Sequence, residues 1–392
     1  MNVRLRDFVE TEIGFFAVNT YEHPKDRVFA FLRYLNLNAV DNAINKYDLD
    51  KKDIRNNHIK ITDTSKTYNI LKDNFPEYLF YDKTKDIILH AVPKSEIIKI
   101  HTPQNRLKEI INNPLNKFET KCKNIAEILN KNGLDYKYMG VSGSTVIKLN
   151  NINSDIDFVI YGMENHKKAR EILKSIFDEK LNKQNVKNNI NIDASNNSNN
   201  NSNSNNCNNS NYGSDSNKYD IKPLSEEFWK KAYNKRIKDG TLSYEEFVWH
   251  EKRKYNRGAI NGTMFDLLAT RKWNEINMNY GDYIYKNMGF IEIEGTITND
   301  KYMLDNPAIY NIENVKIVNL ELNNKIMNEI NPNSISEIAS FTHTYAGQVF
   351  NGEKVIVRGK LENVSFKGEN YNRIVVGTTR EALNEYIKLQ TY

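Results

Sequence analysis

The apolar pattern changes period several times along the chain, and those changes predict its elements. Residues 13–18, 27–34 and 86–92 are short runs rich in aromatic and β-branched side chains, the signature of strands. Residues 66–74 read as a short helix ended by Phe75-Pro76. Over 118–129, Phe118, Cys122, Ile125 and Leu129 fall on one helical stripe, and Asn132-Gly133 closes that helix. A strand over 134–141 leads to a turn at Gly143-Ser144, then a short helix over 145–149 and a second strand over 154–161. Gly162 ends that strand, and 165–177 reads as a helix with Ala169, Ile172, Leu173 and Ile176 on one side.

From about 182 to 217 the pattern disappears. Positions 195–211 are Asn or Ser throughout, except for Cys207. Such a tract cannot bury enough apolar surface to offset its ordering entropy, so it is expected to be a disordered insertion within one domain. Two helices then start at Ser225 and Ser243, each with Ser at the cap and acids in the first turn. Residues 262–268 read as a strand carrying one acid, Asp266, in an apolar run. Further strands are predicted at 290–298, 314–318, 354–361 and 372–377, and a terminal helix at 379–389.

These elements predict an α+β chain in three parts. Residues 1–116 form a small α+β domain, and 117–282 a mixed sheet with flanking helices, interrupted by the Asn/Ser tract. Residues 283–392 form a β-rich domain, for which a small OB-like barrel is the expectation.

Charge changes this picture little. The 392 residues carry a net charge of +5, too mild to argue for nucleic acid by itself. Its distribution is uneven: 223–273 holds 11 Lys/Arg against 7 Asp/Glu (+4), and 283–392 holds 11 against 13 (−2). No run approaches the roughly 18 apolar residues of a membrane span. The first residues lack a signal-peptide core, and two cysteines, Cys122 and Cys207, make no disulfide framework. A cytoplasmic protein without a membrane partner is the expectation.

Asp155 and Asp157 are the first candidates for chemistry. At i, i+2 on a strand they project from one face, roughly 7 Å apart. The Gly143-Ser144 turn precedes them by ten intervening residues. Backbone amides at such a turn suit anionic oxygens, and Gly lets a phosphate approach closely. Glu292 and Glu294 repeat the spacing without a preceding glycine turn, and read as the solvent face of a strand.

The pattern Gly-Ser, ten residues, Asp-apolar-Asp resembles the signature of the DNA polymerase β-like nucleotidyltransferase superfamily. Four further stretches resemble an archaeal group of predicted nucleotidyltransferases: 4–11, 23–33, 143–162 and 246–251. The resemblance implies that Gly143 and Ser144 hold a nucleoside triphosphate and that Asp155 and Asp157 bind two Mg²⁺. It also implies a third carboxylate from a later neighbouring strand, which Asp266 fits. The implied reaction is transfer of a nucleoside monophosphate from an NTP to an acceptor hydroxyl, with release of pyrophosphate.

Arg253 and Lys254, in the basic run before Asp266, are the candidates for neutralising the triphosphate, with a solvated helix face as the alternative. Trp249 and Tyr255 can stack a base or pack in a core, and His250 can be catalytic or structural. Arg4, Arg6, His23, Arg27 and Arg33 can meet a phosphate-bearing substrate or simply flank a β-core. The acceptor is RNA or DNA, otherwise a protein or small molecule. A nucleic-acid-binding protein with a silent transferase domain is the competing reading, and an interaction scaffold the third.

Overall fold

Three sheets, each with its own buried apolar cluster, account for most of the molecule in a computed structural model that describes residues 2–151, 153–196, 219–323, 330–377 and 383–391. The N-terminal sheet is built from β1 (Phe8–Thr11), β2 (Gly14–Val18), β3 (Arg27–Asn36), β4 (Ile54–Arg55), β5 (His58–Lys60), β6 (Leu79–Asp82), β7 (Ile87–Pro93) and β8 (Lys99–His101). The long β3 pairs with β2 along one edge, and with both β5 and β7 along the other. Helices α1 (Ala43–Lys46) and α2 (Thr64–Asn74) cover one face, where Phe16, Leu32, Ile59, Ile70 and Leu71 are buried. The other face packs Phe8, Phe15 and Tyr34 on Val146, Ile147 and Leu149 of the central region.

The central sheet comprises β9 (Met139–Val141), β10 (Ile156–Tyr161), β11 (Ile221–Lys222), β12 (Arg257–Ile260) and β13 (Thr263–Thr270), in the order β11-β12-β13-β10-β9. β10 and β13 run parallel and the other neighbours antiparallel. Helices α3 (Pro103–Asn112), α4 (Lys117–Lys131) and α6 (Met163–Asn196) cover one face, burying Ile156, Phe158, Ile160, Phe265 and Leu267. The one-turn helix α5 (Gly143–Val146) sits between β9 and β10.

The central unit begins earlier than expected, because Leu107 and Ile110 of α3 belong to its core rather than to the N-terminal one. The strand expected over 134–141 is shorter, since Tyr136–Tyr138 forms a single 3-10 turn. Helix α6 runs on to Asn196, past the expected start of the insertion; 197–218, the rest of that tract, lie outside the described residues.

Helices α7 (Glu226–Arg236) and α8 (Tyr244–Arg253) begin at Ser225 and Ser243, whose side chains accept from the amides of Phe228 and Glu246. Their apolar faces do not join the central core. Trp229, Phe247 and Val248 are buried with the C-terminal strands, so these helices belong by packing to the C-terminal unit. Its strands are β14 (Tyr283–Tyr302), β15 (Ala308–Leu322), β16 (Ile335–Ser340), β17 (Lys354–Phe366), β18 (Glu369–Val376) and β19 (Tyr386–Leu389). They pair in a closed ring, β14-β15-β16-β18-β17 and back to β14, with β16 and β18 the parallel pair and β19 added to β17. The helix expected over 379–389 is corrected: Tyr386–Leu389 is a strand, its Ile387 opposite Val357. Residues 378–382 lie outside the described residues. Tertiary pairing overrides a helical local preference here.

Candidate functional site

The sequence around Asp157 alternates so that Ile156, Phe158 and Ile160 enter the helix-covered core, which leaves Asp155, Asp157, Val159 and Tyr161 for the opposite face. On the parallel neighbour, Asp266 lies in register with Asp157 and shares that face with Leu268. Three acids separated by up to 111 positions thus occupy one end of one sheet face.

The Gly-Ser turn fits against this pair of strands. The Ser142 amide donates to the Asp157 carbonyl at 2.8 Å, and Gly143 follows with φ of +60°. A Cβ at Gly143 would stand 1.9 Å from Asp157 Oδ2, so only glycine leaves room for that carboxylate. Gly143→Ala is expected to displace Asp157 and reduce nucleotidyl transfer by about a hundredfold, with the melting temperature as the folding control. Unchanged transfer would contradict this role. Ser144 is largely buried, and Tyr34 of the N-terminal sheet packs on Val146 and Ile147 just after it, so that sheet holds the turn from above.

The three carboxylates repel one another. Burial, then the charge of Asp266, raises Asp157 to about 6, against the opposing pull of Arg6. Asp155 is raised for the same two reasons, with Lys60 and Lys235 opposing. Asp266 turns one oxygen to Arg257, with Nε 3.0 Å away but not aligned as a hydrogen bond. Among the described residues no set of three or more His, Cys, Asp or Glu side chains stands ready-made as a metal cage. The acids share a face without converging on one point. Their chemistry nevertheless fits a hard divalent cation, which takes carboxylate oxygens and would relieve the like-charge repulsion recorded at Asp155 and Asp157.

Cations surround this cluster, but not the expected ones. Lys254 is fully buried, its Nζ 2.5 Å from Glu251 and 2.9 Å from the Thr344 carbonyl. Arg253 pairs with Glu353 and lies over the rings of Trp249 and Phe350. Both are committed to the C-terminal unit, which corrects their assignment as triphosphate ligands. His250 is buried with Nδ1 2.9 Å from the Gln348 carbonyl, a structural arrangement.

The N-terminal sheet supplies the missing charge. Arg33 and Arg55 act electrostatically on Lys60, and Lys60 on Asp157, while Arg55 donates to the Leu149 carbonyl at 3.2 Å. Arg6 acts on Asp157 as well. From the other side, Arg257 of β12 joins Arg236 of α7 on Glu251, at 2.9 and 3.1 Å. Of the early basic residues, Arg27 instead reaches the Glu77 carbonyl at 2.5 Å, and Arg4 is held at 4.0 Å against the ring of Tyr161. His23 is pulled down to about 4 by burial and does not meet the acids.

Arg257 could have been found from sequence. Asn261-Gly262 takes positive φ at both positions, the two-residue hairpin turn this dipeptide favours. Counting outward from it pairs Arg257 with Asp266. Lys60 and Arg55 carry no such local signal.

Comparison with known proteins agrees with this geometry. Residues 122–204, which include the Gly-Ser turn, Asp155 and Asp157, match the nucleotidyltransferase domain family. Over its full length the chain is 49% identical to a protein of Methanocaldococcus jannaschii named uncharacterized protein MJ1086, over 394 residues that cover 100% of both. No solved structure matches the chain. Among the described residues no helix is long and apolar enough to cross a membrane. The chain belongs to the same archaeal family as the Methanocaldococcus protein, and that family carries a nucleotidyltransferase domain.

Proposed function

We propose that this protein transfers a nucleoside monophosphate from an NTP to an acceptor hydroxyl and releases pyrophosphate. The observation that carries this reading is the in-register pair Asp157 and Asp266, with Asp155 on the same face and Gly143 packed against Asp157. Asp155, Asp157 and Asp266 would hold Mg²⁺, two ions being expected, which supplies charge neutralisation and an acidified acceptor hydroxyl when bound.

The chain's own residues do the rest. Gly143 keeps the turn close enough for a phosphate to approach the acids. Arg33, Arg55 and Lys60 neutralise the triphosphate from the N-terminal side, taking the role first assigned to Arg253 and Lys254. Arg257 fixes Asp266 from the opposite side, so that one of its oxygens stays oriented before substrate arrives.

The C-terminal ring, read as an OB-like barrel, carries a half-buried aromatic stack: Tyr283 lies 4.4 Å from Phe366, and the buried Arg373 lies 3.8 Å from the ring of Tyr285. Such a stack suits single-stranded nucleic acid and favours the second reading, a binding protein with a silent transferase domain. The test uses each α-labelled NTP with Mg²⁺ and a mixed pool of RNA, DNA, protein and small-molecule acceptors. Transfer expected of an enzyme puts label on one acceptor class and stops on chelation. Nucleic-acid binding with no transfer from any NTP would overturn it in favour of the silent domain.

A further inference from the structure

Beside the carboxylates, where the N-terminal segment and the C-terminal ring meet the central sheet, lies a cavity of about 100 Å³. Arg6, Asn256, Arg257, Asp305, Ser340 and Thr342 are among its lining. Three of these groups have polar atoms without a hydrogen-bond partner: Arg6 Nε, Asn256 Oδ1 and Arg257 Nε. Asn256 and Arg257 are each only 6% exposed, so bulk water does not satisfy Asn256, and Arg257 Nε has only the misaligned ion pair with Asp266. The Asn256 amide, turned over, offers its NH₂ to the same space.

Arg6 adds a second, independent sign. Its backbone is held at φ of +77°, a conformation that a long side chain rarely adopts. Ser142 Oγ locks it there by donating to the Arg6 carbonyl at 2.7 Å, directly before the Gly-Ser turn. Among the described residues the Arg6 guanidinium makes no hydrogen bond or ion pair. Strain kept at a residue whose charge is left unpaired points to a ligand outside the chain.

The lining identifies the ligand. The one carboxylate, Asp305, is already satisfied by Arg271 at 2.7 Å and Tyr21 at 2.5 Å. The Arg6 guanidinium, the part of the Arg257 guanidinium that Glu251 and Asp266 do not engage, and two hydroxyls remain for an anion, and guanidinium forks match tetrahedral oxyanions. Leu268 and Leu304 close the wall and lower the local dielectric, which strengthens the attraction. The volume suits a phosphate group. Arg257 touches both this cavity and Asp266, so a group held here lies next to the reacting centre.

We propose that the cavity between Arg6 and Arg257 is an anion subsite that binds a phosphate monoester carried by the acceptor, which makes the acceptor a phosphorylated hydroxyl compound. This rests on the transferase reading for the word acceptor, but the binding itself does not need catalysis.

The test is calorimetric titration of the full chain with inorganic phosphate, in wild type, Arg6→Met, Arg6→Lys and, on the exposed face of α2, Lys72→Met, each checked by thermal melt. Saturable binding is expected, weakened about tenfold or more by Arg6→Met, recovered in part by Arg6→Lys, and changed less than about twofold by Lys72→Met. Phosphate must still bind when a non-hydrolysable NTP analogue is present. Absence of binding, an unaffected Arg6→Met, or displacement by the analogue would overturn the subsite. Titration with glycerol 3-phosphate and with a 5′-phosphorylated dinucleotide distinguishes the sources: the tighter binder, if Arg6-dependent, names the acceptor type and supports the subsite. The Asp155→Ala/Asp157→Ala protein separates the two claims. Arg6-dependent phosphate binding there, with no transfer by wild type in any assay, would sink the transferase reading alone; transfer by wild type without Arg6-dependent binding would sink the subsite alone.

Discussion

Asp157→Asn is expected to lower nucleotidyl transfer by about a thousandfold while leaving the protein at least as stable as wild type. The substitution keeps shape and volume but removes a charge from a crowded face. In the folded protein that charge is disfavoured, since burial and Asp266 raise the carboxyl to about 6. A neutral amide therefore relieves repulsion with Asp266, which lies directly across the parallel ladder. Activity needs the same charge, because a divalent cation and a triphosphate require ionised oxygens on this face. The triphosphate contacts assigned to Arg33, Arg55 and Lys60 remain, so NTP binding without metal should change little. Transfer rate, thermal melt and metal-free NTP affinity are the three readouts. A large fall in melting temperature with the loss of activity would instead mark Asp157 as a structural residue.

Glu251→Ala is expected to be the most destabilising single substitution in the region. Glu251 is fully buried and receives Lys254 on one oxygen and both Arg257 and Arg236 on the other. Its removal leaves three cations facing one another, two of them, Lys254 and Arg257, out of water, a loss of roughly 3–5 kcal/mol. Burial alone would push this carboxyl up, but Lys254, Arg257 and Arg236 outweigh it and hold it near 2. In the unfolded chain it would take up a proton near 4.5. Between those values the unfolded state binds more protons, so this contribution is present above about pH 4.5 and is lost as pH falls towards about 2. Denaturant melts of wild type and Glu251→Gln as a function of pH measure it: the difference should shrink through that window. A difference that is constant with pH would contradict the ionised network. Arg257 also loses its second anchor in this variant, so Asp266 should be less well held and transfer weaker even at temperatures where the fold survives.

The legible part of the site was the part written in contiguous sequence. Gly143, Ser144, Asp155 and Asp157 lie within fifteen positions, and strand periodicity alone assigns both acids to one face. Asp266 was legible because a lone acid in an apolar strand needs a partner, and the parallel register places it opposite Asp157. The cations were misassigned because sequence distance from Asp266 is a poor guide. Lys254 is closer to Asp266 in sequence than Lys60 is, yet helix α8 ends just before it and turns it into the C-terminal core. Lys60 reaches the site only because Phe8, Phe15 and Tyr34 dock the N-terminal sheet on the segment after the glycine turn. That contact is set by three-dimensional packing and leaves no local pattern. Helices α7 and α8 show the same limit: their caps were readable, but the core that receives Trp229 and Phe247 lies more than forty residues further on. The strand at Ile335–Ser340 was missed because its pairing is parallel with β18, which no adjacent turn announces.

The most direct test of one shared site on the β10 and β13 face is a single-turnover assay of pyrophosphate release with covalent label transfer from α-labelled NTP. Wild type is compared with Asp155→Ala/Asp157→Ala and with Asp266→Asn, in Mg²⁺ and with chelator. The account predicts Mg²⁺-dependent release and transfer by wild type, and neither by the two variants, whose folds melt as wild type does. Transfer that survives in the double variant, or in Asp266→Asn at the wild-type rate, would contradict it.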